Sequence, residues 1–412
     1  MLKINSISND IFDSVKCSDS KVVINGVTLS RNDIVATGRL IALEYAGKQL
    51  NQRTDLKSKF NSLAEARGLD YATIAQDHQK SKFLFCAAIA NKAVGKEAPA
   101  SFEEARKGNY YTNKDFWAAY NAIDVDVITP IFPTIFEDVA AGGLMQMVDV
   151  PLGQTYQIDV TSNDVFLFED SSWGSGRSTT KNYLYGKTVT LNPKMYSCNA
   201  TIKWYQDVVQ GDAGRYYAAI MGGMFNKIYA IFISTLTTAA ADTKYVPAGL
   251  KQSTYTSANW INLTTLVATA NGVSRRDLFA FGSPQALSAL LPVDSSGNAI
   301  VGLQYGLGES WFERGYLPIA QGVELIEVDP VIVPGTQNST LDTIGLGDNI
   351  YIAAKGGYGY APIYCGIAEG TPITMEATPR ETADFTIDIN VGAMFDIKPV
   401  FASKLGVLAD VI

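Results

Sequence analysis

The hydrophobic positions of this 412-residue chain follow a helical period in the first third and mostly an alternating period afterwards. The chain begins with a hairpin signal, Asn25-Gly26 between two β-branched runs. From Asn32 onward, apolar residues recur at helical spacing, and they do so again around residues 59–80 and 82–94. The pattern predicts four or five short helices that form an arm packed onto another part of the molecule.

Two helix starts in this arm carry capping residues. Ser101 and Glu104 stand at capping-box spacing, and Asn113 is positioned to cap the next helix. That next helix places three aromatic residues on one side, which we interpret as a packing anchor: Phe116, Trp117 and Tyr120.

The hydrophobic pattern changes from helical to alternating spacing after Pro130, Pro133 and Gly142-Gly143. Residues 156–161 alternate apolar and polar, a polar glycine-rich stretch spans 171–180, and residues 183–191 return as a strand. The pattern predicts a long two-stranded β excursion without a core of its own. A two-stranded ribbon is marginally stable alone, so this one needs a partner surface.

The returning strand contains Gly186-Lys187-Thr188, the ending of a phosphate-binding P-loop. The full signature requires glycine at position 181, which is Lys181, and it continues into a helix. Here an alternating β-branched run follows instead. The sequence therefore predicts a strand and argues against this nucleotide site.

The next segment predicts a helix over residues 213–240 with Asp212 as its N-cap, about 42 Å long at 1.5 Å per residue. Lys227 divides its apolar run into stretches too short to cross a bilayer, so we expect the helix to lie across a sheet. Residues 245–355 then predict an α/β region, with a buried strand at 278–282 and a helix begun by Ser283-Pro284.

The end of the chain returns to β structure. Alternating apolar residues predict one long, half-buried strand, with these positions on its buried face: Phe385, Ile387, Ile389 and Val391.

Charge and composition narrow the classes of function that the protein could have. The net charge is −8, with +4 in residues 1–122 and −12 in the remainder. An acidic body argues against a dedicated nucleic-acid-binding protein. The start of the chain lacks the apolar run of a signal peptide, and the four separated cysteines indicate reduced structural thiols.

Candidate catalytic chemistry is sparse. His78 is the only histidine, and we interpret it as a surface residue on a helix. The sequence contains no nucleophile elbow for a Ser-His-Asp triad and no His/Cys cluster for zinc. A carboxylate-based hydrolase stays open, because paired carboxylates need no fixed spacing. We therefore predict no catalytic, cofactor-binding or metal-binding residues.

The order of these elements resembles the major capsid proteins of tailed bacteriophages, which share the Johnson fold. The passage over residues 186–233 is similar to that family's extended loop, short helix and spine helix. Residues 277–291 and 315–329 resemble its axial domain, and residues 373–408 resemble its terminal peripheral strands.

The resemblance implies an α+β fold with the following parts: an N-terminal helical arm (1–122), a link into the peripheral domain (123–150), an extended β-hairpin loop (151–200), a peripheral domain with spine helix (201–244), an α/β axial domain (245–355) and peripheral-domain terminal strands (356–412). It further implies assembly through pentamers and hexamers into an icosahedral or prolate head that encloses double-stranded DNA, without enzymatic activity or cofactor.

In such shells the extended loop reaches over the adjacent subunit. The resemblance therefore implies inter-subunit contacts at the loop tip, made by Trp173, Arg177, Lys181 and Lys187. It also implies portal, scaffolding and decoration proteins as partners, no membrane, a location in the virion, and assembly in the cytoplasm of a bacterial host.

Three other interpretations stay open from the sequence. An encapsulin nanocompartment shares the fold, although such proteins are usually shorter. A cytoplasmic carboxylate hydrolase belongs to a different class and requires a concave pocket with perturbed carboxylates. A surface-layer or adhesion protein would require an export signal.

Overall fold

A computed structural model describes most of the chain. It covers residues 21–24, 27–49, 71–129, 145–161, 185–209, 211, 213–243, 245–290, 315–336, 338–354, 361–369, 373–379, 385–400 and 405–411. The chain divides into two compact units. Unit 1 consists of Met1–Asp138, Lys194–Lys227 and Ala368–Phe395, and unit 2 consists of Val139–Pro193, Ile228–Ile367 and Asp396–Ile412.

The described helices are α1 (Arg31–Gln49), α2 (Tyr71–Ala93), α3 (Phe102–Arg106), α4 (Lys114–Ile128), α5 (Ala213–Ala241), α6 (Ser257–Asn271) and α7 (Pro284–Ser288). A π-helical turn spans Trp204–Val209, and 3₁₀ turns span Ala248–Leu250 and Arg275–Asp277.

The described strands are β1 (Lys21–Ile24), β2 (Val27–Ser30), β3 (Met145–Val150), β4 (Tyr156–Thr161), β5 (Tyr185–Leu191), β6 (Lys194–Lys203), β7 (Lys251–Ser253), β8 (Leu278–Gly282), β9 (Ile319–Ala320), β10 (Val323–Glu327), β11 (Val331–Ile332), β12 (Thr343–Ile344), β13 (Ile350–Ala354), β14 (Ile363–Ala368), β15 (Ile373–Pro379), β16 (Thr386–Pro399) and β17 (Gly406–Ala409). This mixture of helices and mainly antiparallel sheets confirms the predicted α+β class.

Unit 1 begins with the hairpin that the Asn-Gly signal predicts. Strands β1 and β2 pair antiparallel, with Ile24 opposite Val27. Helices α1, α2 and α4 then pack together. The prediction of short helices was wrong here, because α1 has 19 residues and α2 has 23. Tertiary packing of α2 along its length allows one helix to continue where the periodicity shows a break.

Helix α4 begins at the predicted cap. The Asn113 side-chain oxygen accepts hydrogen bonds from the backbone nitrogens of Asp115 at 2.9 Å and Phe116 at 3.1 Å. These contacts satisfy two of the backbone donors that a helix start leaves unpaired.

The Asn113→Ala substitution is expected to lower the free energy of unfolding by about 1 kcal/mol, since it removes both cap hydrogen bonds. Urea unfolding measures the change. Asn113→Asp keeps an acceptor oxygen at the cap and is the matched control, expected to unfold within a few tenths of a kcal/mol of wild type. Equal losses in the two variants would show that the cap is not the cause.

The sheet of unit 1 forms around the long strand β16. Strand β6 pairs with it from one side and β15 from the other, both antiparallel. Ile387, Ile389 and Val391 are buried as the alternation predicts. Phe385 was predicted in the same set, but it precedes the strand, is exposed and has a positive φ of 54°. The left-handed backbone at this residue turns its side chain out of the strand's alternation.

Unit 2 contains a six-stranded sheet with the order β7-β17-β13-β8-β10-β9. Strand β8 is fully buried between parallel β10 and antiparallel β13. Helix α6 packs against β13 and β17. It begins at Thr256, whose hydroxyl accepts from Asn259 N at 3.1 Å, and it ends at Gly272, whose φ of 63° suits glycine.

Helix α7 begins as predicted, with Ser283 capping and Pro284 at its first position.

The predicted long helix is present as α5, with 29 residues. Residues Ala219–Ala241 are long and apolar enough to cross a membrane by length and composition alone. Ile228, Phe232 and Leu236 of this stretch are buried, although less than half of its apolar window is buried.

Candidate functional site

The β4–β5 hairpin of unit 2 is the extended element that the sequence singles out. Its strands pair antiparallel from Tyr156 opposite Leu191 to Thr161 opposite Tyr185. This pairing confirms the strand prediction for residues 185–191 and removes the helix that a P-loop would need. Ile158 and Leu191 at the hairpin root pack with Tyr364 and Val400.

Polar contacts reinforce this root. The Lys398 ammonium donates to the Thr190 carbonyl at 2.6 Å and lies 3.3 Å from the Asp396 carboxylate. Asp396 also accepts from the backbone nitrogen of Asn192 at 2.9 Å. These two side chains of β16 therefore hold the end of β5 by its backbone.

Lys398→Met is expected to raise the hydrogen-exchange rate of amides in residues 188–192 by about 5- to 30-fold, because it removes one charge-assisted hydrogen bond from the root. Native-state hydrogen exchange by mass spectrometry measures the change. Lys194→Met, at an exposed site on β6, is the matched control and should leave this segment unchanged. Unchanged exchange in Lys398→Met would contradict the role of this contact.

Of the four residues predicted to make contacts at the loop tip, the structure describes one. Trp173, Arg177 and Lys181 lie outside the described residues. Lys187 lies in β5, where its backbone is opposite Val160 of β4. The structure thus places Lys187 in the hairpin, and the contact assigned to these four residues stays a prediction.

The three predicted arm residues are buried in unit 1. Phe116 is fully buried, and Trp117 and Tyr120 are nearly so. The Phe116 ring lies 5.3 Å from that of Phe83 and 5.6 Å from that of Trp204, both in edge-to-face geometry. These distances are typical of favourable aromatic pairs.

Sequence reasoning missed Trp204 as a member of this cluster. Its ring also lies 5.5 Å from Trp117 and 6.0 Å from Tyr111. Trp204 opens the π-helical turn after β6, and no local periodicity links that turn to α4. The only sequence signal for its burial was the residue type, because tryptophan is highly buried on average.

A second cluster in unit 1 contains the titratable groups with the most perturbed environment. The Lys82 ammonium is fully buried, forms an ion pair with Asp124 and lies 3.5 Å from the centre of the Tyr120 ring. Tyr217 donates to the same Asp124 oxygen at 2.9 Å. Helices α2, α4 and α5 are joined through these contacts.

Burial is the largest influence on the pKa values of both Lys82 and Asp124. It raises the pKa of Asp124, and the Lys82 charge and the hydrogen bonds from Lys82 and Tyr217 offset this in part. Burial alone would lower the pKa of Lys82, but Asp124 and Tyr120 together raise it. The lysine is therefore held as a cation beside its carboxylate.

His78 corrects a prediction from the sequence. It was interpreted as a surface residue, but it is buried, and its Nε2 lies 3.4 Å from the Tyr217 hydroxyl. Burial, together with the nearby Lys82 charge, lowers the pKa of His78 to about 3. A histidine in this environment stays neutral at neutral pH.

The free energy of unfolding is expected to fall as the pH is lowered from about 6.5 to about 3, and His78 contributes to this fall. In that range the unfolded chain binds a proton at His78 that the folded chain excludes, so unfolding is favoured by up to about 1.4 kcal/mol per pH unit. His78→Gln removes the proton-binding group, and urea unfolding at several pH values should show a flatter profile. Parallel profiles for the two proteins would contradict this assignment.

Among the described residues, no group of three or more His, Cys, Asp or Glu could hold a metal ion. Cys86 and Cys365 are free and buried, and burial raises the pKa of both thiols. Cys198 is free and exposed.

The comparison with known proteins identifies structural neighbours only. No protein-family model matches the sequence, and no curated protein matches it. The capsid of Cyanophage P-SCSP1u is 14% identical, with 64% of this chain and 86% of that chain covered and a TM-score of 0.41. The mature capsid of bacteriophage PhiM1 is 14% identical, with 65% and 85% covered and a TM-score of 0.40.

An encapsulin is also similar. The SrpI encapsulin complex from Synechococcus elongatus PCC 7942 is 12% identical, with 65% of this chain and 85% of that chain covered and a TM-score of 0.37. The structural similarity is thus to capsid and encapsulin shells, the two classes of shell protein that the sequence analysis names.

Proposed function

We propose that this chain is the major capsid protein of a tailed bacteriophage, with a Johnson-type fold. Copies assemble through pentamers and hexamers into an icosahedral or prolate head that encloses double-stranded DNA. The chain is not an enzyme and needs no cofactor. Assembly takes place in the host cytoplasm, with portal, scaffolding and decoration proteins as partners.

The β4–β5 hairpin is the observation that carries the proposal. Its packing within unit 2 involves Ile158, Val160, Val189 and Leu191, whereas Tyr156, Gln157 and Asp159 are exposed. A two-stranded ribbon gains little stability by itself, so it needs a further surface to cover it. A neighbouring copy in a shell supplies that surface, and symmetry repeats the contact throughout the assembly.

The buried Lys82–Asp124 pair is the strongest candidate for an enzyme site, and it argues against one. Both side chains are at most 1% exposed, so a substrate has no access to them. Their perturbed pKa values follow from burial and mutual pairing, which structural ion pairs also produce. The carboxylate-hydrolase alternative therefore has no support from these residues.

Electron microscopy and sedimentation of the purified full-length chain test the proposal. We expect rings, capsomers or closed shells tens of nanometres wide. A variant with residues 162–184 replaced by a short Gly/Ser linker should remain smaller, because the extended loop no longer reaches a neighbour. A wild-type chain that stays monomeric at every concentration, with and without a co-expressed scaffolding protein, would contradict the proposal.

An encapsulin gives a different result in the same experiment. Its closed shells would retain a cargo protein when purified from the native host, whereas a phage head would retain nuclease-protected DNA. Shells that contain cargo protein and lack DNA would establish the encapsulin alternative.

A further inference from the structure

The buried ion pair of unit 1 satisfies only half of its carboxylate. The Asp124 Oδ1 contacts the Lys82 ammonium and accepts a hydrogen bond from the Tyr217 hydroxyl at 2.9 Å. The Asp124 Oδ2 is also buried, yet it has no hydrogen-bond partner among the described residues. A buried polar atom that loses its hydration and gains no partner is costly, so this oxygen calls for an explanation.

Both charged groups lie away from solvent, beside aromatic rings. The Lys82 and Asp124 side chains are 1% and 0% exposed. The Lys82 Nζ lies 3.5 Å from the centre of the Tyr120 ring and 5.8 Å from that of the Tyr217 ring. Val127, on the next turn of α4 after Asp124, is fully buried as well. In such surroundings a pair of opposite charges loses much of its hydration, and a neutral product of the same groups avoids this cost.

We propose that Lys82 and Asp124 condense to an intramolecular amide, an isopeptide bond that joins α2 to α4. The Lys82 Nζ forms a bond to the Asp124 Cγ, and the bond between Cγ and Oδ2 breaks. The ammonium gives up two protons, both pass to Oδ2, and Oδ2 leaves as one water molecule. One positive and one negative charge disappear together, so atoms and charge balance without any co-reactant.

The ion pair is the starting state of this reaction. A proton first passes from Nζ to the carboxylate, which gives the neutral amine that a nucleophilic attack requires. Burial favours this neutral pair, because it raises the pKa of Asp124 and by itself would lower that of Lys82. The attraction of Asp124 nevertheless raises the pKa of Lys82, so the neutral pair is the minor form and the condensation is slow.

Two features of the cluster promote the attack. The packing of α2 against α4 holds the amine in contact with the carboxyl group, which replaces a collision between separate molecules. The Tyr217 hydroxyl donates to Oδ1, the oxygen that gains negative charge as Nζ adds to Cγ. Oδ1 then becomes the carbonyl oxygen of the amide and keeps this hydrogen bond, whereas Oδ2 leaves without breaking a hydrogen bond to any described residue.

The bond closes a covalent loop between residues 82 and 124. A covalent loop lowers the entropy of the unfolded chain, as a disulfide does. Both reactants belong to one chain, so the reaction needs no access for a substrate and occurs once in each molecule, without turnover. It also needs no assembly, and the inference therefore does not depend on the proposed function.

Intact-mass spectrometry of the denatured full-length chain tests the bond. Wild type is expected to be lighter than its sequence mass by one water molecule, and the lighter fraction should grow while the folded protein is incubated. Lys82→Met and Asp124→Ala each remove one reactant and should keep their full sequence masses. Asp77→Ala removes an exposed carboxylate from α2; it is the matched control and should lose one water as wild type does. Removal of the first methionine would change all four masses equally.

Peptide mapping locates the bond. Trypsin should fail to cleave after Lys82, because an acylated lysine no longer carries the positive charge that trypsin recognises. The digest should instead contain one branched peptide that includes both Lys82 and Asp124. Unbranched peptides ending at Lys82, in a sample that has lost one water, would show that the water came from another site.

Tyr217→Phe tests the role of the hydroxyl. It keeps the ring but removes the donor to Oδ1, so the lighter form should accumulate at least tenfold more slowly than in wild type. Thermal unfolding of the variant checks that the fold is intact. An equal rate in the two proteins would overturn the role assigned to Tyr217.

The mass of wild type decides the inference. If the folded wild-type chain keeps its full sequence mass after prolonged incubation, Lys82 and Asp124 form an ion pair only and the inference is wrong. A loss of water that also occurs in Lys82→Met would overturn it equally. Electron microscopy scores shell assembly separately, so a failure of the proposed function and a failure of this inference are distinguishable.

Discussion

Asp124→Ala is expected to lower the free energy of unfolding by about 3–5 kcal/mol. The substitution leaves the fully buried Lys82 ammonium without its carboxylate, and it removes the acceptor of the Tyr217 hydroxyl. A buried charge without a partner loses its hydration and gains nothing in return. Urea unfolding followed by tryptophan fluorescence measures the loss, since Trp117 and Trp204 lie in the same unit.

Two controls separate the effect of the ion pair on the free energy of unfolding from general destabilisation. Asp77→Ala removes an exposed carboxylate from α2 and should cost less than about 0.5 kcal/mol. The double variant Lys82→Met with Asp124→Leu removes both charges and should recover most of the loss, because apolar side chains of similar volume replace the pair. A loss below about 1 kcal/mol in Asp124→Ala would show that the structure does not depend on this pair.

Phe116→Ala is also expected to lower the free energy of unfolding by about 3–5 kcal/mol. The ring is fully buried and contacts the rings of Phe83, Tyr110, Trp117, Tyr120 and Trp204. Its removal leaves a cavity that rigid aromatic neighbours fill only in part. The same fluorescence measurement detects both the loss of stability and the changed surroundings of Trp117 and Trp204.

The cavity explanation makes a graded prediction. Phe116→Leu keeps most of the volume and should cost clearly less than Phe116→Ala. Phe385→Ala removes an exposed ring from the same unit and should cost less than about 1 kcal/mol. If Phe116→Leu and Phe116→Ala were equally destabilised, the loss would not depend on cavity volume.

The local elements of this fold could be predicted because their signals lie within a few residues. The β1–β2 pairing, the Asn113 cap and the Ser283-Pro284 helix start each depend on groups only a few positions apart in the sequence. The long apolar run after Gly211-Asp212 likewise identified helix α5, and alternation identified strand β16. Tertiary packing changed their boundaries by a few residues, and it moved Phe385 outside the strand.

The candidate site could be predicted only in part. The strands β4 and β5 of the hairpin follow from alternation. The polar root of the hairpin joins Thr190 to Lys398, residues that are 208 positions apart.

By itself, the sequence determined many of the helices and strands and where several of them begin. These properties follow from backbone geometry and from the spacing of apolar side chains, both of which act over short distances. Only the tertiary structure decided that His78 is buried, that Lys82 pairs with Asp124, and that Trp204 joins the aromatic cluster. These contacts connect residues 42 to 139 positions apart, and their partners are chosen by packing in three dimensions, which no local pattern records.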